Sequence, residues 1–242
     1  NANTTKNLVI FQTCYFKVAN LFFILYHKIM KELVKLKYGD LSKIRKQFFE
    51  ENTDDHAYFQ TNSSILISAP HGVSQVRLGS LKVAEIGTIP VATMVAKHMK
   101  ANLIVKTRND DDDANFVESC PYRDTITNAI QTQNTKYLID FHGLAKHRPC
   151  DINIGINFGQ NIARNQKLFA SLKNALETQG FSVSIDEPFC AGPRTIAGYF
   201  AKNFNIWTIQ IEINSAITNM PKNIDKCNLL INTLIDWLER NY

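Results

Sequence analysis

The residues best suited to chemistry follow short apolar runs of the sequence. His71 comes shortly after the run Ile65–Ala69, and His142 directly after the run Tyr137–Phe141. Glu212 lies near the end of a third run of this kind. Placing imidazoles and carboxylates beside apolar strands is costly unless these groups pair or bind something. We therefore expect His71, His142 and Glu212 to share one site.

Two imidazoles and a carboxylate suit zinc, because catalytic zinc sites use three protein ligands and keep one position for water. Glu85 is the candidate third ligand, since a helical pattern beginning near residue 83 places it in the first turn after the strand that leads to His71. A helix dipole also favours an acidic residue there, so a purely structural role for Glu85 stays open. The sequence predicts zinc held by His71, Glu85 and His142.

The elements that must position these residues alternate between strands and helices. The predicted strands are continuously apolar, without alternation of polar and apolar residues, which implies a sheet covered on both faces. The helices between them imply an α/β fold with a mainly parallel or mixed sheet. Ligands in such sheets bind beyond the carboxyl ends of the strands. Strands are predicted near 57–60 and at 65–69, 103–106, 137–141, 152–157, 181–185 and 206–213, and helices at 16–37, 41–50, 83–99, 121–133, 162–178, 194–203 and 222–240.

Three motifs, in this order, resemble those of the N-formylglutamate amidohydrolase family. They are Ser68-Ala69-Pro70-His71-Gly72, Asp140-Phe141-His142-Gly143 and Gln210-Ile211-Glu212-Ile213-Asn214. That family is related to the zinc carboxypeptidases and the succinylglutamate desuccinylases. The resemblance covers roughly residues 60–240. It implies a zinc-carboxypeptidase-like fold, zinc as cofactor and hydrolysis of an amide bond.

The resemblance also implies roles for single residues. His71 and His142 match metal ligands of the family, and Glu212 matches the general base that activates metal-bound water. Arg123 matches an arginine that the family places near the site, which implies a catalytic role at the oxyanion. Asp140 precedes His142 by two residues on the same strand face, so we expect it to orient that imidazole from behind.

Two departures from the family's pattern concern the third ligand and the substrate. The family's close His-x-x-Glu pair is absent because residue 74 is Ser, and the segment Val73–Val83 is interpreted as an inserted loop ahead of Glu85. The family's glycine-rich, arginine-bearing stretch is changed at 189–195. These departures leave the identity of the third ligand and of the acyl substrate open.

A free carboxylate on the substrate would be bound best by the planar fork of a guanidinium group. Arg194, Arg148 and Arg77 are the candidates, in that order. Arg194 lies in a Gly-Pro turn that opens a predicted helix, so backbone amides there could assist. The acidic run Asp110–Asp113 lacks the spacing of a calcium loop and is interpreted as a solvated loop.

The first 55 residues are predicted to form an N-terminal helical appendage, and residues 56–242 the zinc hydrolase domain. The boundary falls in a polar, turn-rich segment at 52–64. Lysines concentrate in the first fifty residues and contribute to the net charge of +5. They show no interleaving of aromatic and basic residues of the type that reads RNA, so they favour a solvated helix face over a nucleic-acid surface.

Composition places the chain among globular proteins. Of the 242 residues, 45% are hydrophobic and 20% are charged, which is ordinary for a folded domain with one large core. The five cysteines stand singly and form no CxxC pair, which favours a reducing, cytoplasmic setting. The apolar stretch at 16–26 is too short to span a membrane. Nothing in the sequence specifies an oligomeric state.

The favoured function is zinc-dependent hydrolysis of an amide bond in a small N-acyl amino acid or a short peptide. One alternative is a carboxypeptidase-like enzyme that acts on cell-wall or other peptides. Another is an inactive, metal-containing binding module with the N-terminal helices as its partner surface. Retention of Glu212 argues against the inactive module, because binding alone needs no general base.

Overall fold

A seven-stranded mixed sheet organises the protein, whose computed structural model describes residues 37–50, 54–109, 112–218 and 222–242. The strand order is β1-β5-β2-β6-β9-β7-β8. The four middle strands β5, β2, β6 and β9 run parallel, while β1 and β7 are antiparallel to their neighbours β5 and β9. The strands of this sheet are β1 His56–Phe59, β2 Ile65–Ala69, β5 Asn102–Lys106, β6 Tyr137–Leu144, β7 Ile152–Gly155, β8 Val183–Ile185 and β9 Trp207–Asn214.

Helices cover both faces of the sheet. The helices are α1 Tyr38–Arg45, α2 Thr88–Met99, α3 Pro121–Thr132, α4 Gln166–Thr178, α5 Ile196–Phe204, α6 Ser215–Thr218 and α7 Ile224–Asn241, with a π-helical turn at Lys46–Glu50 and a 3₁₀ turn at Gln160–Ile162. One face packs against α2, α4 and α7, and the other against α3 and α5. Every residue of β2, β5 and β9 is buried, which explains why these strands lack polar alternation.

Strand alternation decides which core each side chain joins. Ile65 and Ile67 of β2 belong to the core under α2, α4 and α7, whereas Leu66 belongs to the core under α3 and α5. The same alternation on β6 sends Leu138 to the α3 and α5 side. Residues an even number of positions after Leu66 on β2 or Leu138 on β6 therefore point to the α3 and α5 side too.

A small hairpin follows β2 and stands apart from the main sheet. It consists of β3 Gln75–Arg77 and β4 Ser80–Lys82, which pair antiparallel. Leu78 and Gly79 form its turn with φ values of 50° and 76°. Two successive residues with positive φ are typical of the tight turns that match strand twist. The segment interpreted as an inserted loop is thus an ordered hairpin.

The predicted fold class is confirmed. One helix prediction was wrong at its start, since α2 begins at Thr88 rather than near residue 83. The predicted helix at 16–37 lies outside the described residues apart from residue 37. The domain boundary near residue 55 stays a prediction, although Ile44 and Phe48 belong to the main core. In the described ranges, no helix combines the length and apolarity that a membrane span requires.

Candidate metal centre

Parallel pairing brings the candidate site residues to one edge of the sheet. His142 on β6 lies opposite Glu212 on β9, and Asp140 lies opposite Gln210 two residues earlier on the same strands. Because these four residues alternate in the same sense as Leu138, their side chains point to the side covered by α3 and α5. His71 follows β2, the other neighbour of β6, so it reaches the same edge. The structure therefore brings these residues to the edge that the strand-end rule indicated, and their shared role stays a prediction.

Three donor atoms converge at this edge. The Nδ1 atoms of His71 and His142 lie 3.0 Å apart. Oε2 of Glu85 is 3.2 Å from Nδ1 of His71 and 3.6 Å from Nδ1 of His142. A tetrahedral ion with ligand bonds of about 2.0–2.1 Å requires donor atoms roughly 3.3 Å apart. The triangle formed by His71, Glu85 and His142 therefore has the size that such an ion needs.

Each imidazole is held from behind by a buried carboxylate. Nε2 of His142 donates to Oδ2 of Asp140 at 2.8 Å, as the sequence predicted. Nε2 of His71 donates to Oδ1 of Asp113 at 2.9 Å. The side chains of Asp113 and Asp140 are both fully buried. A carboxylate that accepts from the outer nitrogen fixes the ring and leaves the lone pair of Nδ1 pointing inward, which is the arrangement found behind metal-bound histidines.

The charges around the two rings also fit a divalent metal ion. Four carboxylates lie around the imidazoles, those of Glu85, Asp113, Asp140 and Glu212, and among the described residues the cations that form ion pairs with them are Arg77 and Lys82. Burial lowers the pKa of His142, but the nearby carboxylates outweigh it and raise this pKa well above its usual value. The same field that attracts a proton to this centre attracts a metal cation.

Glu85 is positioned by backbone contacts rather than by a helix. Its N–H donates to the carbonyl of His71 at 2.8 Å, and Oε2 accepts from the N–H of Gly143 at 2.7 Å. The other oxygen, Oε1, pairs with Nζ of Lys82 at 2.6 Å. The expectation that Glu85 lies in the first helical turn was wrong, since it lies in the loop that follows β4, three residues before α2. Attraction to a helix dipole therefore does not explain the position of the Glu85 carboxylate.

Glu212 is buried beside the donor triangle and has the properties of a proton acceptor. Burial raises the pKa of Glu212 to about 7, with His142 opposing this change and the Glu85 carboxylate adding to it. Nε2 of Gln210 donates to Oε1 of Glu212 at 2.8 Å, which fixes the carboxylate. A carboxyl group with a pKa near neutrality can both accept and release a proton at physiological pH.

A cavity of about 480 Å³ opens over this centre. His71, Glu85, His142 and Glu212 all line it, on the wall formed by the sheet edge. Residues 115–116 and the loop 188–195 line other parts of it. A volume of this size accommodates a small molecule of the dimensions of an N-acyl amino acid.

The candidate substrate-binding arginines are placed differently. Arg77 and Arg194 line the cavity, and each guanidinium lies over the Phe116 ring, at 5.1 Å and 5.2 Å from its centroid. Arg77 is already paired with Asp113, with its Nε and Nη2 at 2.7 Å and 2.6 Å from Oδ2. Arg148 is exposed in the loop between β6 and β7 and does not line this cavity.

Arg123 lies behind the cavity wall rather than on it. Its side chain is buried, with Nε donating to the carbonyl of Ala114 and Nη2 to the carbonyl of Arg194. The guanidinium also lies 4.9 Å from the ring centroid of Tyr199. These contacts tie together the two segments that carry Phe116 and Arg194. The structure therefore places Arg123 behind the residues that line the cavity, and its role at the oxyanion stays a prediction.

Sequence reasoning missed Asp113, Gln210 and Lys82. The interpretation of the acidic run as solvated was wrong for Asp113, because nothing local distinguishes it from its acidic neighbours. Gln210 could have been found, since it precedes Glu212 by two residues on one strand face, as Asp140 precedes His142. Lys82 carried no local signal, because its partner depends on the hairpin.

Fold and site together define a class: α/β proteins with a mixed sheet and a set of possible metal ligands at the carboxyl ends of its parallel strands. The sequence pattern of the N-formylglutamate amidohydrolase family matches residues 63–218, which is more than half of the chain. The chain belongs to this family, and the predicted resemblance is confirmed. Family membership makes the protein a hydrolase. A comparison with curated protein sequences finds no match.

Solved structures show the same fold at low sequence identity. N-formylglutamate amidohydrolase from Ralstonia eutropha is 11% identical with a TM-score of 0.56, and the match covers 78% of this chain and 99% of that one. A gene product of Agrobacterium tumefaciens is 13% identical with a TM-score of 0.56, covering 82% of this chain and 100% of that one. A metallo-carboxypeptidase from Burkholderia cenocepacia is 10% identical with a TM-score of 0.50, covering 86% and 70%.

Proposed function

We propose that the protein is a zinc-dependent amidohydrolase that cleaves the amide bond of a small N-acyl amino acid or a short peptide. The observation that carries this proposal is the donor triangle of His71, Glu85 and His142, with distances of 3.0, 3.2 and 3.6 Å and a buried carboxylate behind each imidazole. Nitrogen and oxygen donors in this number and spacing suit zinc.

Zinc bound there would polarise the substrate carbonyl and lower the pKa of water. The protein's own groups would do the rest. Glu212 would accept a proton from the attacking water and deliver it to the nitrogen of the leaving amine. Gln210 would keep Oε1 of Glu212 in place, so that Oε2 is available for this transfer. Burial of Glu212 supports both steps, because its pKa of about 7 suits a group that must take up and release a proton.

Arg194 would bind the carboxylate of the substrate. Within the described ranges it has no carboxylate partner, and its guanidinium is held over Phe116 at the cavity surface. Arg77 would contribute less, because two of its donors already face Asp113. Arg123 would hold the backbone carbonyl of Arg194 from behind.

Metal analysis combined with one matched pair of variants tests the proposal. We expect about one zinc per chain after reconstitution, and hydrolysis of at least one member of a panel of N-formyl and N-acetyl amino acids. Glu212→Gln should keep the zinc and lose turnover by about 10²-fold or more. Glu177→Gln, on the exposed surface of α4, serves as the control. Absence of zinc binding, or full turnover by Glu212→Gln, would contradict the proposal.

A further inference from the structure

The cations that line the cavity are not equally available to a substrate. Arg77 is paired with Asp113, and Lys82 with Glu85, at distances of 2.6 Å in both ion pairs. Arg194 has no such pair among the residues that the structure describes, and it lines the cavity with its guanidinium over Phe116. Of the described residues that line the cavity, Arg194 is therefore the cation left available to an anionic ligand.

The start of α5, beside Arg194, does not supply a second anion site. The N–H of Ile196 donates to Oδ1 of Asn115 at 2.7 Å. The N–H of Gly198 donates to the hydroxyl of the N-cap residue Thr195 at 3.1 Å. Because side chains of the protein already take these two amides, the helix end has little capacity left for a carboxylate. Arg194 is left as the anion-binding group of this part of the cavity.

Part of the loop that carries Arg194 presents apolar side chains to the cavity, those of Pro188, Phe189 and Pro193. The ring of Phe116 also lines the cavity, but it already carries the guanidinium groups of Arg77 and Arg194 and is not part of this apolar wall. Phe189 is 42% exposed, so its ring presents apolar surface to whatever enters. A carboxylate placed against Pro188, Phe189 and Pro193 would lose water without gaining a counter-ion from them, which is unfavourable. An apolar side chain would instead be stabilised there by the surface it buries.

The structure assigns the cavity to N-acyl amino acids that carry a single carboxylate and an apolar side chain, in preference to acidic ones such as an N-acyl glutamate. Arg194 binds the α-carboxylate, and the wall of Pro188, Phe189 and Pro193 receives the side chain. This inference rests on the proposed function and narrows its substrate class.

N-formyl-L-methionine and N-formyl-L-glutamate form the test pair, because their side chains have similar lengths and differ in charge. With the zinc-reconstituted full chain, we expect kcat/KM to be at least about tenfold higher for the methionine derivative. The same comparison is made with the N-acetyl derivatives. A preference for the glutamate derivative in both series overturns the inference while leaving the proposed function intact. Hydrolysis of none of the four compounds overturns this inference, while zinc binding and the wider panel of N-acyl amino acids decide the proposed function separately.

Three variants test which residues of the cavity set the preference for an apolar side chain over an acidic one. Phe189→Arg should shift the kcat/KM ratio towards the glutamate derivative by at least about tenfold, because it puts a counter-ion on the apolar wall. Phe158→Arg, at a 78% exposed position that does not line the cavity, should leave the ratio unchanged. Arg194→Met should raise KM for both substrates and preserve the ratio, since both carry the α-carboxylate. An unchanged ratio in Phe189→Arg would refute the placement of the side chain at this wall.

Discussion

Asp113→Asn is the most informative perturbation of the candidate metal centre. Asp113 is fully buried and uses both oxygens: Oδ1 accepts from Nε2 of His71 and from the N–H of Asn115, each at 2.9 Å, and Oδ2 accepts from Arg77. An asparagine has one acceptor oxygen. Its amide N–H₂ would face either His71 or Arg77, and both of these are donors. The substitution thus keeps the shape of the side chain, but it places an N–H₂ donor opposite the N–H donor of His71 or of Arg77 in a buried site.

The expected cost is a loss of zinc affinity. Removing a carboxylate behind a metal-bound histidine lowers affinity by about 10–100-fold, which corresponds to roughly 1.4–2.8 kcal/mol. We expect a value near the upper end for Asp113→Asn, because the side chain is fully buried and the charge that balances Arg77 is lost as well. The effect acts through the orientation and basicity of His71, so metal binding is the primary readout.

The assay is competition for zinc with a chromophoric chelator, which gives the dissociation constant of the parent protein and each variant. Asp225→Asn, at an exposed position in the first turn of α7, controls for the loss of one negative charge. Circular dichroism of the metal-free proteins checks that both variants are folded. A dissociation constant for Asp113→Asn within about twofold of the parent value would refute the assignment of His71 as a ligand oriented by Asp113.

Three further predictions test other contacts. In Gly143→Ala the new Cβ would lie 3.0 Å from Cβ and Cγ of Glu85, so we expect weaker zinc binding in the chelator assay, with Tm little changed. Arg123→Met should raise KM more than it lowers kcat in steady-state kinetics, because it loosens the wall that binds substrate rather than the metal side; an equal loss in kcat would assign it to the chemical step. Burial raises the pKa of Asp151, but the Lys226 ammonium outweighs it and holds this pKa below its usual value. The stabilisation is therefore present above the unfolded pKa of about 3.9 and lost as the pH falls through the folded value, so the Tm deficit of Asp151→Ala should shrink below about pH 4.

Much of the sheet followed from local sequence pattern. Continuous apolar runs such as 65–69 predicted buried strands, and their boundaries agree with β2 and nearly with β9. Because parallel strands end at one edge, the residues that follow β2 and those near the ends of β6 and β9 could be placed together before any coordinates were known. Asp140 could be placed behind His142 by the two-residue period of a strand.

The hairpin shows where that reasoning ends. Its residues were interpreted as an inserted loop, yet β3 and β4 bring Arg77 to Asp113 and Lys82 to Glu85. Arg77 was expected to bind substrate, which stays a prediction, and its ion pair with Asp113 leaves fewer of its donors for that role. No local pattern predicts such pairs, because the partners lie on segments whose approach depends on how the hairpin folds back over the sheet edge.

The sequence by itself determined the α/β sheet, the family and the edge at which His71, His142 and Glu212 meet, because strand period and parallel pairing are encoded in neighbouring residues. The tertiary structure decided which carboxylate stands behind His71, how Glu85 reaches the donor triangle and that Arg123 lies behind the wall. It also decided which of the cations that line the cavity are already paired with carboxylates. These depend on contacts between residues far apart in the chain, such as Asp113 with His71 and Arg123 with the carbonyl of Arg194. Their energies come from burial and geometry that exist only once the chain has folded.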